Sequence, residues 1–353
     1  MVVHSTEPRI MEDLKDIDII VATRIDNHER AMNAFLMYRF FKEHTINSKF
    51  IFVEDSVSPF LQSCIPIEEN DKIYFEQNGR SHHKTGVAKV NFRYEKAFSP
   101  NRVYFDQYGH VEDPKSSSQA GVITGEEFFR KSRSYNIGIE KSDRKYLLFL
   151  DLDCVVNPKQ ITDILAKIKK KRGFGICYNG QPAYLTYNAK QIYADAPLLS
   201  TLEGFYPNFK ILEVALDNRR RGFPSWPDSL KYEHCKILGV NACGGCLLGR
   251  KKDFIKIGGF NENFAGWGYE DTEIISRIRI LYGKPPSLDW KNDHEPFYRC
   301  ENEEEFLFHF PHTKESVTSQ QVVLTGNKKE SDKVEGMNTK ELTKYIKTWT
   351  WLK

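Results

Sequence analysis

The sequence has no stretch approaching the ~18 consecutive apolar residues that a membrane-crossing helix requires. Its opening segment, Met1 to Leu14, is polar and acidic and lacks the apolar core of a secretory signal. Neither sign of charge is in excess: 51 basic residues stand against 48 acidic ones, a formal net charge of +3. That balance gives no reason to expect nucleic acid as a partner. Cysteine is scattered, at positions 64, 154, 177, 235, 243, 246 and 300. Cys243 and Cys246 form one C-x-x-C, but no second pair exists to complete a four-thiolate zinc site. Several cysteines sit in apolar runs, where a reduced thiol behaves as a small core residue. The expected setting is therefore a reducing cytoplasm. No internal repeat and no clear domain boundary is visible.

What is present is a globular composition, with 40% hydrophobic and 28% charged residues over 353 positions, enough for one large core or two smaller ones. Asp18 to Thr23 (DIIVAT) is a short β-branched run that predicts a buried strand, and Lys49 to Val53 predicts a second. Between them, Met32, Phe35, Leu36 and Phe40 have helical spacing over Glu29 to Phe41. Strand–helix–strand is the opening of an α/β sheet wrapped by helices. Residues 64–124 hold Gly, Pro, Ser and Asn clusters and are read as an insertion with some strand, such as Lys72 to Phe75. His82 and His83 within it carry no functional claim. Thr124 and Glu127 have capping-box spacing ahead of a helix whose face is Phe128, Ser132, Tyr135 and Ile139. Tyr146 to Leu150 (YLLFL) predicts the strongest strand, Ile161 to Ile168 a helix, and Phe174 to Tyr178 another strand. A late apolar stripe, Leu342, Tyr345, Ile346, Trp349 and Leu352, lies among lysines. Such a helix packs on its own domain or rests on a membrane surface, the former being favoured.

Two acidic constellations stand out. Asp151 and Asp153 follow the YLLFL strand, at the carboxyl end where open sheets bind ligands. If the chain stays extended, both point to one side, and two hard oxygen ligands there suit Mg²⁺ or Mn²⁺ holding a diphosphate. The plain alternative is a strand that ends in acidic loop residues. The second constellation is Gly266-Trp267-Gly268-Tyr269-Glu270-Asp271. Counting from Asp271 at helical spacing meets Ile274, Ile275, Ile278 and Leu281, which puts Asp271 on the inward face of a first turn. A carboxylate aimed inward needs a cavity or a ligand, and a helix N-terminus favours its ionised form, as a general base requires. Glu270 could bind acceptor hydroxyls and Trp267 could offer a face to a sugar ring. A capped helix start with an anchoring Trp is the alternative. Glu273 and Arg277 can pair across one turn. His309 and His312 could share a metal with Asp153, or be structural.

Together these segments resemble the GT-A glycosyltransferases, specifically the β-1,4-galactosyltransferase-like group and related bacterial polysaccharide polymerases. The specific stretch is CGGCLLGRKKDFIKIGGFNENFAGWGYEDTEIISRI, Cys243 to Ile278, with a Gly-Gly loop, a Lys-rich helix, a G-G-F turn and a W-G-x-E-D signature. Asn136 and Gly138 are similar to the family's A-R-N-x-G helix ahead of its D-x-D strand. The resemblance implies an α/β fold with a mixed central sheet and a loop-rich acceptor region. It implies residues 1–325 as the transferase domain, with 1–180 the nucleotide-sugar half, 181–325 the acceptor half, and 326–353 a polar segment with an amphipathic helix.

It further implies an inverting transfer of galactose or N-acetylgalactosamine from a UDP-sugar to a carbohydrate or lipid-linked glycan. Asp271 would be the base, and Glu270, Trp267 and Gly245 would line the acceptor side. Thr23, Arg24, Glu54, Asp55, Asn136 and Asp151 would serve the nucleotide sugar. Asp153, His309 and His312 would hold Mn²⁺ or Mg²⁺. Two departures are visible: Tyr135 stands where the family has Arg, and Tyr269 replaces a small residue. Animal members carry a membrane anchor and often disulfides. Neither is seen here, which implies a bacterial cytoplasmic enzyme, at most peripheral to the inner membrane. Competing readings are a haloacid-dehalogenase-type phosphatase with Asp151 as nucleophile, and a non-catalytic sugar- or nucleotide-binding relic.

Overall fold

Runs of Ile, Val, Leu and Phe without polar alternation can be buried on both faces, and these runs become the central strands. In the computed structural model, residues 11–25, 28–55, 61, 65, 67–75, 129–185, 235–237, 242–266, 268–285, 296–300, 305–310 and 317–352 are described. The first third holds β1 (Glu12–Asp13), β2 (Ile17–Thr23), α1 (His28–His44), β3 (Thr45–Ile46), β4 (Lys49–Glu54) and β5 (Lys72–Phe75). Next come α2 (Lys131–Lys141), β6 (Tyr146–Leu150), β7 (Cys154–Val155), α3 (Pro158–Lys170), β8 (Phe174–Ile176) and β9 (Pro182–Leu185). Then follow β10 (Cys235–Ile237), β11 (Cys246–Arg250), α4 (Lys251–Lys256), α5 (Glu270–Leu281), β12 (Phe297–Arg299) and β13 (Leu307–His309). The chain closes with α6 (Val317–Glu335) and α7 (Thr339–Ile346).

The main sheet is seven-stranded and mixed, in the order β12-β8-β11-β6-β2-β4-β5. β6, β2, β4 and β5 are parallel, while β11 runs antiparallel to both β6 and β8. All residues of β2, β4, β6 and β11 are buried. A second sheet, β10-β9-β13-β7, lies beyond the end of β6. In it β13 pairs antiparallel with β7, setting His309 opposite Cys154, so a late residue is carried back beside the D-x-D segment.

The strand and helix expectations hold closely, with two corrections and one favoured reading borne out. The helix after the insertion begins at Lys131, with Arg130 as its cap residue and no side-chain cap. Thr124, Glu127 and Phe128 lie outside the described residues, while Ser132, Tyr135 and Ile139 are buried as the periodicity requires. The polar stretch before Leu342 contains a long helix, α6, which runs across the 325/326 division. Among its described side chains it buries Asn327 and Ser331 beside Val334, a mixed face that apolar periodicity does not reveal. Finally, the Leu342 stripe is covered. Leu342 is fully buried with Ile280 and Val334, and Trp351 Nε1 donates to Gly258 O at 3.0 Å. The apolar face that a membrane surface would need is already packed on the domain.

Candidate active site

β6 ends at Leu150 because the chain turns there: Cys154 N–H donates to Asp151 O at 3.1 Å. The expectation that Asp151 and Asp153 lie side by side on an extended strand is therefore corrected. The turn separates the two carboxylates and gives each its own neighbours.

Asp151 faces α2. Its carboxylate accepts from Tyr135 Oη at 2.7 Å and is paired with Lys131 Nζ at 2.9 Å. Lys131 is four residues before Tyr135, one turn along the same helical face. Its ammonium also lies 3.5 Å from Glu270 and 3.6 Å from Asp271. One cation thus joins the carboxylate at the end of β6 to the two that open α5. Burial works against the charge of Lys131, but Asp151, Asp271 and Glu270 outweigh it and hold the ammonium well above its ordinary pKa. Sequence reasoning does not find Lys131, because a lysine near a helix start carries no signal until its fold partners are known.

The second acidic pair opens α5, with Asp271 turned to the junction as the spacing requires. Glu270 is the more buried of the two, and Asp271 keeps 34% of its side chain exposed. Asp271 lies against the backbone before β11, where a Cβ on Gly244 would come within 2.1 Å of Oδ2. A glycine is required there for the carboxylate to sit as it does. The next residue, Gly245, has φ +82, a left-handed conformation that glycine adopts readily. Its carbonyl accepts from Asp151 N–H at 3.1 Å, locking the two motifs together. Tyr135, Cys243, Gly245, Phe260, Asp271 and Ile274 line a small cavity at this junction. Burial raises the Asp271 carboxyl to about 7, with Lys131 pulling down and Glu270 and Asp151 pushing up.

This arrangement gives a signed expectation. Replacing Lys131 by Met removes the cation that, among the described residues, lowers the Asp271 pKa most. The acid limb of a pH–rate profile should then move to higher pH, by roughly one unit. A limb that stays put or moves down would separate Lys131 from Asp271.

Asp153 turns the other way, toward the second sheet. Its Oδ1 lies 3.7 Å from His309 Nε2, and both side chains are part-exposed. Cys154 is the third potential ligand of this cluster. Burial, with Asp153 and Asp151 beside it, pushes that thiol well above its ordinary pKa, so it stays protonated and donates to Asp153. A carboxylate and an imidazole with open access fit a divalent cation, and this donor set suits Mn²⁺ better than the all-oxygen preference of Mg²⁺. His312 and Trp267 lie outside the described residues.

The proposed nucleotide residues divide. Thr23 and Asp55 end the neighbouring strands β2 and β4, joined by Asp55 N–H to Thr23 O at 2.9 Å. Thr23 Oγ1 and Asp55 Oδ1 are buried with no hydrogen-bond partner among the described residues, as expected of groups that await a ligand. Burial raises the Asp55 carboxyl, against the Arg130 N–H and the charges of Arg24, Arg130 and Arg133. Glu54 is different: it is fully buried and accepts from Leu61 N–H at 3.1 Å. Asn136 is also placed otherwise. Both hydrogens of its amide are committed, to Phe260 O at 2.8 Å and Glu262 at 2.9 Å, and it accepts from Phe260 N–H. It ties α2 to the G-G-F turn and has no donor left for a nucleotide.

With this geometry in view, the comparisons are decisive. Residues 110–258 match the family described as glycosyl transferase family 2, and residues 229–313 match the N-terminal domain of galactosyltransferase. The chain is a glycosyltransferase. Between them the two matches hold the D-x-D turn, Gly244, Gly245, Glu270, Asp271 and the late histidines. The transferase has the mixed α/β, GT-A-like fold of this class. It is also similar to solved catalytic domains of Drosophila beta1,4-galactosyltransferase 7. One is a complex with xylobiose, at 12% identity, TM-score 0.37, covering 89% of this chain and 79% of that one. The other is a point mutant complexed with manganese, UDP-Gal and xylobiose, at 12% identity and TM-score 0.38, with the same coverage.

Proposed function

We propose that this transferase moves a sugar, galactose or N-acetylgalactosamine being favoured, from a UDP-sugar to a carbohydrate hydroxyl with inversion at the anomeric carbon. The observation that carries the reading is the Lys131 junction, which sets the donor-side Asp151 and the acceptor-side Glu270 and Asp271 around one ammonium. In a single displacement, Asp271 takes the proton from the acceptor hydroxyl as that oxygen attacks. A carboxyl raised to about 7 is a stronger base than an ordinary aspartate and becomes ionised as pH rises through neutrality. Glu270, buried and fixed by Gly268 N–H at 2.8 Å, orients acceptor hydroxyls. Thr23 and Asp55 offer their unpartnered oxygens to the nucleotide. Asp153 and His309, with His312, would hold the metal, Mn²⁺ before Mg²⁺. Bound there, the ion supplies positive charge to the diphosphate leaving group.

The test is calorimetric titration of UDP with Mn²⁺ and with EDTA. Wild type should bind only with the metal, and Asp153→Ala should lose at least roughly tenfold in that affinity. Equal Mn²⁺-dependent UDP affinity in the two proteins would remove Asp153 from the metal site.

The phosphatase alternative finds no support in the site, since Asp151 is held by Lys131 and Tyr135 rather than presented as a nucleophile. A cytoplasmic setting and a lipid-linked glycan acceptor remain part of the proposal. The first is supported by five described cysteines packed in the interior as thiols.

A further inference from the structure

The loop from Asn261 to Tyr269, which delivers Glu270 and Asp271, has no ladder to satisfy its backbone. Buried backbone groups must find partners elsewhere. Gly266 N–H finds Phe129 O at 2.8 Å, and the backbone groups of Ala265 and the carbonyl of Gly268 find theirs on α6. Asn327 is 3% exposed, and its side chain bonds Ala265 and Gly268, one on each side of position 267. Its amide donates to Ala265 O at 2.9 Å and to Gly268 O at 3.0 Å, and its carbonyl oxygen accepts from Ala265 N–H at 3.3 Å. One turn further along, Glu330 accepts from Asn261, Asn263 and Tyr345 at 2.8, 3.1 and 2.6 Å. The same peptide segment then reaches the site, for Gly268 N–H donates to Glu270 Oε2. Gly268 is therefore held from behind by Asn327 while it holds the Glu270 carboxylate in front.

We infer that Asn327 is a positioning residue for acceptor binding: from α6 it fixes Ala265 and Gly268, and through Gly268 the Glu270 carboxylate. The inference rests on the acceptor-side role proposed for Glu270. An asparagine is suited to the task because one planar amide can donate twice and accept once. Asp of the same shape keeps the bond from Ala265 N–H but loses both donated bonds and sets a charge against two carbonyls. The expected consequence is a loosened acceptor side with an intact donor side, since Thr23, Asp55 and Asp153 lie on other elements.

The experiment compares wild type with Asn327→Ala and Asn327→Asp in three measurements. These are UDP affinity with Mn²⁺, transfer from UDP-galactose to a panel of p-nitrophenyl glycosides, and hydrogen exchange of the amides at 265–270. Both variants should keep UDP affinity within about twofold, raise the acceptor KM by roughly tenfold or more, and lose protection at 265–270 while α5 beyond Ile274 stays protected. Unchanged acceptor KM and unchanged exchange would overturn the inference, as would an equal loss of donor and acceptor binding. If one variant is poorly folded, the other decides. If wild type itself transfers no sugar, the functional reading fails by its own result. The exchange pattern then still decides whether Asn327 holds the loop.

Discussion

Asp271→Asn should lower the turnover number by roughly a thousandfold while leaving Mn²⁺-dependent UDP affinity unchanged. Asn preserves the shape against Gly244, where the carboxylate fits only because no Cβ is present, so the loss reports proton transfer and not misfolding. A second readout carries a definite sign. The Asp271 carboxyl is raised in the folded state, to about 7 from 3.8, so the folded protein holds a proton there that the unfolded chain has released. Stability contributed by the protonated group is present at low pH and is lost as pH rises through 4 to 7. At pH 8 the ionised carboxylate is a net cost, and Asp271→Asn should be the more stable protein. Because a third of the side chain is exposed, the difference is set at about 1–2 kcal/mol. It should vanish toward pH 4. Wild-type turnover in the variant would remove Asp271 as base, and with full UDP binding but no turnover in wild type the relic reading would stand.

Arg277→Ala should be the most damaging structural change, at about 3–5 kcal/mol. Arg277 is completely buried and pairs with both carboxylate oxygens of Glu273, at 2.8 and 3.1 Å. Its remaining nitrogen donates to Ile257 O and Gly259 O, and the guanidinium lies 5.0 Å from the ring of Trp349. Truncation leaves a buried carboxylate and two carbonyls without this donor, and unties α5 from the G-G-F turn and the C-terminal segment. Urea unfolding should show the lower midpoint. The double variant Glu273→Gln with Arg277→Met should recover part of the loss, because it removes the unpaired charge. A single variant within ~0.5 kcal/mol of wild type would show that the pair is dispensable.

Asn327 and Lys131 show where the sequence is silent. Both are ordinary polar residues on helices, and their importance comes from backbone and carboxylate groups far away in the chain. The Glu273–Arg277 pair, by contrast, was legible as i and i+4, although its complete burial was not. The strands were legible for a local reason: YLLFL and DIIVAT have no polar face, so they must lie inside a sheet. The D-x-D segment was legible as a candidate site, and its geometry was not. Alternation assumes an extended chain, and the turn closed by Cys154 N–H to Asp151 O sends the two carboxylates apart. The inward face assigned to Asp271 holds, since its carboxylate lines the junction cavity with Ile274, but helical counting fixes spacing and not the seat against Gly244.

By itself the sequence determined the element types of the sheet, the two acidic motifs and the transferase class, because each is written in contiguous residues whose chemistry is local. The tertiary structure alone decided which groups meet. The antiparallel β13 brings His309 to Asp153, α2 brings Lys131 between Asp151 and Asp271, and α6 brings Asn327 behind the loop that carries Glu270. Those encounters depend on strand order and helix packing, long-range choices that no single segment encodes.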